Sequence, residues 1–299
     1  MTDPFAVGLE KKAEGDLPSA VLLFEAATMK KQQDPLAWLM LGLSLAENEQ
    51  DPKAIKAFEQ VLKYEPGNSK ALMGLAVSYT NEGFPLQACK ALDGWLRNNP
   101  KYSTNLPPAV DDPQQNPLIS SLLPAEMFMR VQNMYLNAAR QDSSKIDAEV
   151  QCGLGVLLNL TGDYDRAVEC FQAALAVCPD DALLWNRLGA TSANGGRSEE
   201  AVQAYARALE LSPGFIRARY NTAVACINLG AHREAAEHLV TALSLQASGR
   251  GLQGQEHRQV MSENIWGTLR TVLSLLGRQD LYADIDNKDI QRLAVEFGV

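Results

Sequence analysis

A 34-residue period runs through this chain and leaves few folds open to it. Ala167, Ala201 and Ala235 keep that spacing, as do Ala174, Ala208 and Ala242, then Leu175, Leu209 and Leu243, and the glycines Gly162, Gly196 and Gly230. Nearer the start, Gly8, Gly42 and Ala76 share it, and so do Ala20, Ala54 and Ala88. A single compact core gives no reason for residues 34 positions apart to be alike. A stack of similar units does, because each unit must present the same two surfaces to its neighbours.

Two triplets of repeats are separated by an irregular stretch. From Ala88 to Ala167 the step is 79 residues, two periods plus 11, so one divergent repeat with an insertion lies between. The insertion is KYSTNLPPAVDDPQQNP, where Pro107, Pro108, Pro113 and Pro117 forbid a regular helix. The rest of that repeat is expected as a helix around Phe128 to Arg140. Small residues at two fixed points of a 34-residue period are the tetratricopeptide pattern, in which paired antiparallel helices approach closely only where Gly or Ala stands at the crossing. The segment LLWNRLGATSANGGRSEEAVQAYARALELSP supplies Trp185, Leu188, Gly189, Ala201, Tyr205, Ala208 and Pro213 in the order of that pattern. The expectation is an all-α superhelix of about seven repeats. Repeats one to three fall over residues 1–100, a proline-rich hinge with the divergent fourth repeat over 101–147, and repeats five to seven over 148–246. A glycine-rich flexible loop follows over 247–257, and helices over 258–299 cap the open end.

Composition removes several classes of function. Hydrophobic residues at 46% with charged residues at 21% suit a folded chain, and a net charge of −9 opposes binding to nucleic acid or to anionic membranes. The five cysteines form no C-x-x-C pair and are read as reduced thiols of a cytosolic compartment. Neither a leader segment in MTDPFAVGLEKKAEGD nor a membrane span is expected, because no cationic-then-apolar start and no long apolar window occurs. GRGLQG at 249–254 matches a dinucleotide fingerprint but follows a helical pattern instead of a strand, and Asn159-Leu160-Thr161 is read as a helix end, not a glycosylation site. His232, His238 and His257 lack metal-ligand spacing, and no nucleophile–base grouping or carboxylate pair stands out. The chain is therefore expected to catalyse nothing and to need no cofactor.

Its binding surface is sought on the first helix of each repeat, which lines the concave wall of such a stack. With the crossing glycine counted as position 8, positions 2, 5, 6, 9 and 13 share one stripe. Position 13 is Asn81, Asn194 and Asn228 in repeats three, six and seven, and Glu47 in repeat two. Asn186 and Arg187 stand at positions 5 and 6 of repeat six, and Arg217 and Asn221 at positions 2 and 6 of repeat seven. Asparagine is a poor residue in a helix interior, since its amide competes with the backbone, so its recurrence asks for a purpose. A carboxamide offers two donors and one acceptor, and several together can grip a peptide main chain and its terminal carboxylate. For Arg187 and Arg217 the alternative is surface charge bridged to Glu199 or Glu210.

These residues carry a resemblance. WNRLGATSANGGRSEEAV, FIRARYNTAVACINLGAHREA, LAVSYTNEG, VQCGLGVLLNLTGDYDRAVECF and MSENIW are similar to the cargo-binding half of the peroxin-5 family, the peroxisomal import receptors for type 1 targeting signals. The resemblance implies a receptor that closes around the C-terminus of a cargo protein ending in Ser-Lys-Leu or a relative, in peroxisomal or glycosomal matrix import. It implies that Asn81, Asn186, Asn194, Asn221 and Asn228 hold the signal's backbone and carboxylate. Val77, Thr80 and Ala190 would line space for its side chains, and Arg217 would support the carboxylate. Arg187 stands where the family often has lysine. The acidic balance fits a basic penultimate residue, with Glu47 as its candidate neighbour. A receptor of this kind works in the cytoplasm and cycles to the organelle membrane, docking there through an N-terminal region with W-x-x-x-F/Y motifs. None of the four tryptophans here starts such a motif, so the chain is expected to be a fragment that binds cargo without docking. The alternatives are a paralogue serving as auxiliary subunit of a membrane channel, and a co-chaperone module, whose groove would use lysines and arginines where this one has asparagines.

Overall fold

The computed structural model describes residues 3–104, 106–108, 123–141, 145–248 and 262–299, and every regular element among them is helical. In order these are α1 (Pro4–Ala13), α2 (Leu17–Lys30), α3 (Pro35–Glu47), α4 (Asp51–Tyr64), α5 (Ser69–Asn81) and α6 (Pro85–Asn98). There follow α7 (Ala125–Gln141), α8 (Ala148–Asn159), α9 (Tyr164–Val177), α10 (Ala182–Asn194), α11 (Ser198–Leu211), α12 (Ile216–Asn228) and α13 (His232–Ser248). After α14 (Glu263–Leu275) and a short 3-10 helix (Gln279–Leu281) come α15 (Tyr282–Asn287) and α16 (Ile290–Phe297). Side-chain caps set several starts: Asn68 accepts from the Ala71 N–H, Asp147 from Glu149 and Val150, and Asp181 from Leu183 and Leu184.

The crossing of each hairpin explains the small-residue period. Sixteen residues after each crossing position stands the side chain that fills it. Gly8 faces Phe24, Gly42 faces Phe58, Gly155 faces Phe171 and Gly189 faces Tyr205. A methyl added to Gly189 would come within 2.5 Å of the Tyr205 ring, and one on Gly42 within 2.6 Å of Phe58. Where the crossing residue is alanine, as at Ala76 and Ala223, the partner sixteen residues on shrinks to Leu92 or Leu239. The rings of Phe24, Phe58 and Phe171 are fully buried, each worth about 1.5–3 kcal/mol of apolar transfer, so volume is conserved across the crossing while its division between helices varies.

The helices gather into two compact units. The first holds residues 1–30, Glu47–Gln50 and 181–299. Its core joins Leu17 to Ile216 and to Leu239, Val240, Leu243, Trp266, Leu269, Leu293 and Phe297, with α13 packed against α2, α12, α14 and α16. Its backbone is tightest where Gly214 meets Gly15, since a Cβ on Gly214 would collide with the Gly15 carbonyl oxygen. The second unit holds residues 31–46 and 51–180. There α7, longer at both ends than the expected Phe128–Arg140, packs against α6 and α8. Tyr135 of α7 stacks on Trp95, which stacks in turn on Tyr102, and its hydroxyl donates to the Leu92 carbonyl at 3.2 Å. The Tyr102 hydroxyl donates to Asp147 at 2.7 Å, tying the chain after α6 to the cap of α8.

Of the expected irregular segments, most of the insertion, including Pro113 and Pro117, lies outside the described residues, as do the GRGLQG match and His257. Ala247 and Ser248, expected to open the loop, instead complete α13. Asn159 ends α8, which makes the Asn-Leu-Thr triplet a helix end.

Candidate peptide-binding site

In α10 and α12, of the first unit, one stripe of each helix is lined by incompletely buried residues, while Ala182, Trp185, Ala193 and Arg219 are incompletely buried away from it. Leu183, Arg187, Ala190 and Asn194 lie on that stripe of α10, and Tyr220, Asn221, Val224, Ile227 and Asn228 on that of α12. Four carboxamides occupy or border it. Asn186 is buried and Asn221 half-buried, and the Asn221 Nδ2 donates to the Asn186 Oδ1 at 3.0 Å across the two helices. That bond leaves the Asn186 Nδ2 as a donor and the Asn221 Oδ1 as an acceptor. Asn194 and Asn228 are exposed, and their side chains form no hydrogen bond among the described residues.

Asn194 and Asn228 are the last residues of α10 and α12, as Asn81 is of α5 and Glu47 of α3. This corrects part of the sequence argument. Position 13 lies at the helix end, where asparagine's competition with the backbone costs little, so its recurrence there is not a paradox of helix propensity. What remains distinctive is that the end residue is an exposed carboxamide in three repeats.

Arg217 is buried at the start of α12, and its guanidinium pairs with Glu49 at 3.4 Å, with both side chains near 10% accessible at 11% and 9%. The bridges considered from sequence do not form there: Glu210 pairs with Arg207 at 2.7 Å. Glu49 belongs to the four-residue turn Glu47–Gln50, which is held at several points within the first unit. Glu47 accepts from the Lys12 ammonium at 2.6 Å, and the Gln246 amide donates to the Asn48 carbonyl and side-chain oxygens at 3.2 and 3.1 Å. The Gln246 Oε1 in turn accepts from the Ser262 N–H. Thus Glu47, the expected neighbour of a basic ligand residue, already carries a cation of its own. Sequence reasoning passed over Glu49, Lys12 and Gln246. The signal for Glu49 was present, because residues 15, 49 and 83 share the 34-residue phase and only 49 is not glycine.

In the second unit, Val77 and Thr80 lie half-buried on α5, and Asn81 is exposed at its end. The Thr80 hydroxyl is turned back onto the Ala76 carbonyl at 2.7 Å, so its methyl is the group offered outward. The Asn81 Nδ2 donates to both oxygens of Asp51, at 3.4 and 3.3 Å. No cluster of potential metal ligands occurs among the described residues.

Nearly the whole chain is similar to known proteins. The tetratricopeptide-repeat family matches residues 39–103 and 161–216. The chain is 45% identical over 300 residues to the peroxisomal targeting signal receptor of Yarrowia lipolytica, covering 99% of this chain and 49% of that one. The chain is a homologue of the peroxisomal targeting signal receptors. It is 42% identical over 303 residues to the receptor of Candida albicans, covering 99% of itself and 50% of that protein. The human PEX5-related protein is 46% identical over 301 residues, 99% of this chain and 47% of that one. The chain spans about half the length of these relatives. They are named as receptors or receptor-related proteins and not as enzymes, and among the described residues no helix is long and apolar enough to cross a membrane.

Proposed function

We propose that this chain is the cargo-recognition part of a peroxisomal targeting signal receptor, binding C-terminal signals of the Ser-Lys-Leu type for matrix import. The observation that carries the reading is the four-carboxamide stripe on α10 and α12, in a chain similar along 99% of its length to proteins named peroxisomal targeting signal receptors. Asn186, Asn194, Asn221 and Asn228 contact the signal's main chain and terminal carboxylate. The Asn186 amide is a donor whose orientation the Asn221 bond has already set. Such preorganisation favours binding because less conformational freedom is lost on complex formation. Arg217, paired with Glu49, supplies positive potential toward the carboxylate without a bare charge. Arg187 and Ala190 lie on the same stripe of α10, the first as a further cation and the second as space for a small side chain. Asn81, Val77 and Thr80 lie on the equivalent stripe of repeat three and are read as peptide contacts there, and Glu47 as the contact of a basic penultimate residue. Docking partners at the membrane and cycling between cytoplasm and organelle are part of the same proposal.

Titration with a fluorescent peptide ending in Ser-Lys-Leu tests the reading. Wild type binds it. Asn194→Ala with Asn228→Ala weakens binding by about 2–3 kcal/mol, the worth of two to three lost hydrogen bonds, and leaves the melting temperature unchanged because both side chains are exposed. Equal affinity of wild type and double variant would remove the proposal. A Ser-Glu-Leu peptide binds more weakly than Ser-Lys-Leu if Glu47 acts as stated.

A further inference from the structure

One carboxamide in the second unit has its orientation imposed by a buried neighbour. Asp51 is the first residue of α4, and only 3% of it is accessible. Its two oxygens receive the Asn81 Nδ2 at 3.4 and 3.3 Å. A carboxylate accepts and does not donate, so the contact is satisfied only when the amide nitrogen of Asn81 faces Asp51. The Asn81 Oδ1 must then face the other way. It forms no hydrogen bond among the described residues, and the residue is exposed. In the 34-residue register, Asp51 is in phase with Leu17 and Pro85, and its counterparts in the second triplet are Tyr164, Ser198 and His232. Repeat two alone puts a carboxylate at this position, so the first turn of the second helix does not require one.

We infer that Asp51 is a positioning residue that turns Asn81 into a dedicated hydrogen-bond acceptor for a backbone N–H of the bound signal. The inference rests on the peptide-binding reading above and refines it by dividing the carboxamides into classes. Asn81 presents an oxygen, with a buried carboxylate behind it, and is therefore unsuited to a terminal carboxylate, which two like partial charges would repel. It suits an amide N–H. Asn186 presents a nitrogen and suits a carbonyl or carboxylate oxygen. Asn194 and Asn228, whose side chains form no hydrogen bond among the described residues, carry no such imposed orientation there.

The test uses a fluorescent peptide ending in Ser-Lys-Leu and analogues in which one backbone N–H at a time is replaced by an ester oxygen. These are titrated against wild type, Asp51→Asn, Asn81→Ala and the double variant, with thermal melting of each. In wild type one ester position weakens binding by about three- to tenfold, the weight of a neutral hydrogen bond. That penalty vanishes in Asn81→Ala, whose exposed site does not threaten folding. It shrinks in Asp51→Asn, where the new amide can donate to Asn81 and release its nitrogen outward. A purely structural Asp51 would lower the melting temperature and leave the ester penalty intact, and that result overturns the inference. So does an ester scan in which no position responds to Asn81→Ala. Failure of wild type to bind the parent peptide at all would strike instead at the peptide-binding reading, and the inference would fall with it.

Discussion

The turns after α5, α10 and α12 pass through the left-handed region at Gly83, Gly196 and Gly230, with φ of 73°, 78° and 75°. The turn after α3 does so at Glu49, with φ of 63°. Glycine adopts that conformation freely, whereas a residue with a Cβ incurs about 1 kcal/mol or more. The glycine turns at Gly83, Gly196 and Gly230 have no group within 4 Å of where a Cβ would be, and each leaves an exposed asparagine two residues upstream. The Glu49 turn is engaged throughout: Lys12 on Glu47, Gln246 on Asn48, Arg217 on Glu49. A turn that only reverses the chain is made of glycine and leaves the asparagine before it exposed. A turn that must hold a cation in place accepts strain in order to carry a carboxylate.

Four substitutions would break or sharpen that contrast. Arg217→Ala removes the cation that faces the Glu49 carboxylate in a site with little access to water, and unfolding in denaturant should show a loss of about 3 kcal/mol. Glu49→Ala removes the carboxylate but keeps the unfavourable φ, and is expected to be next, at about 2 kcal/mol. Glu49→Gly removes the same carboxylate and relieves the backbone, so it should be more stable than Glu49→Ala by about 1 kcal/mol. Were the two equally stable, φ at residue 49 would carry no strain and the contrast would lose half its content. Gly196→Ala meets no neighbour, so its cost is conformational alone and should not exceed about 1 kcal/mol.

How far the sequence discloses this structure depends on distance along the chain. The hairpins were legible because their determinants are local and repeated: Gly189 and Tyr205 sit sixteen residues apart, and the same relation recurs in every intact repeat. The stripe holding Asn186, Asn194, Asn221 and Asn228 was legible for the same reason, since helical periodicity fixes which residues share a face. The partners of those residues were not. Arg217 meets a glutamate 168 residues away, and Gln246 meets Asn48 across 198 residues, and no periodic rule selects such pairs. Nor did position counting reveal that position 13 is a helix end, because the boundary depends on the left-handed residue two places on. The break in the glycine series at Glu49 was visible, but its meaning needed the burial of the turn.

The most direct test of the carboxamide stripe as a cradle for a free chain terminus compares a peptide ending in Ser-Lys-Leu as its free acid with the same peptide as its C-terminal amide. Both would be titrated against the wild-type chain by fluorescence anisotropy. Hydrogen bonds to a charged carboxylate are worth about 1.5–3 kcal/mol each, so the free acid should bind about 100-fold more tightly or better. Equal affinities for acid and amide would contradict the account.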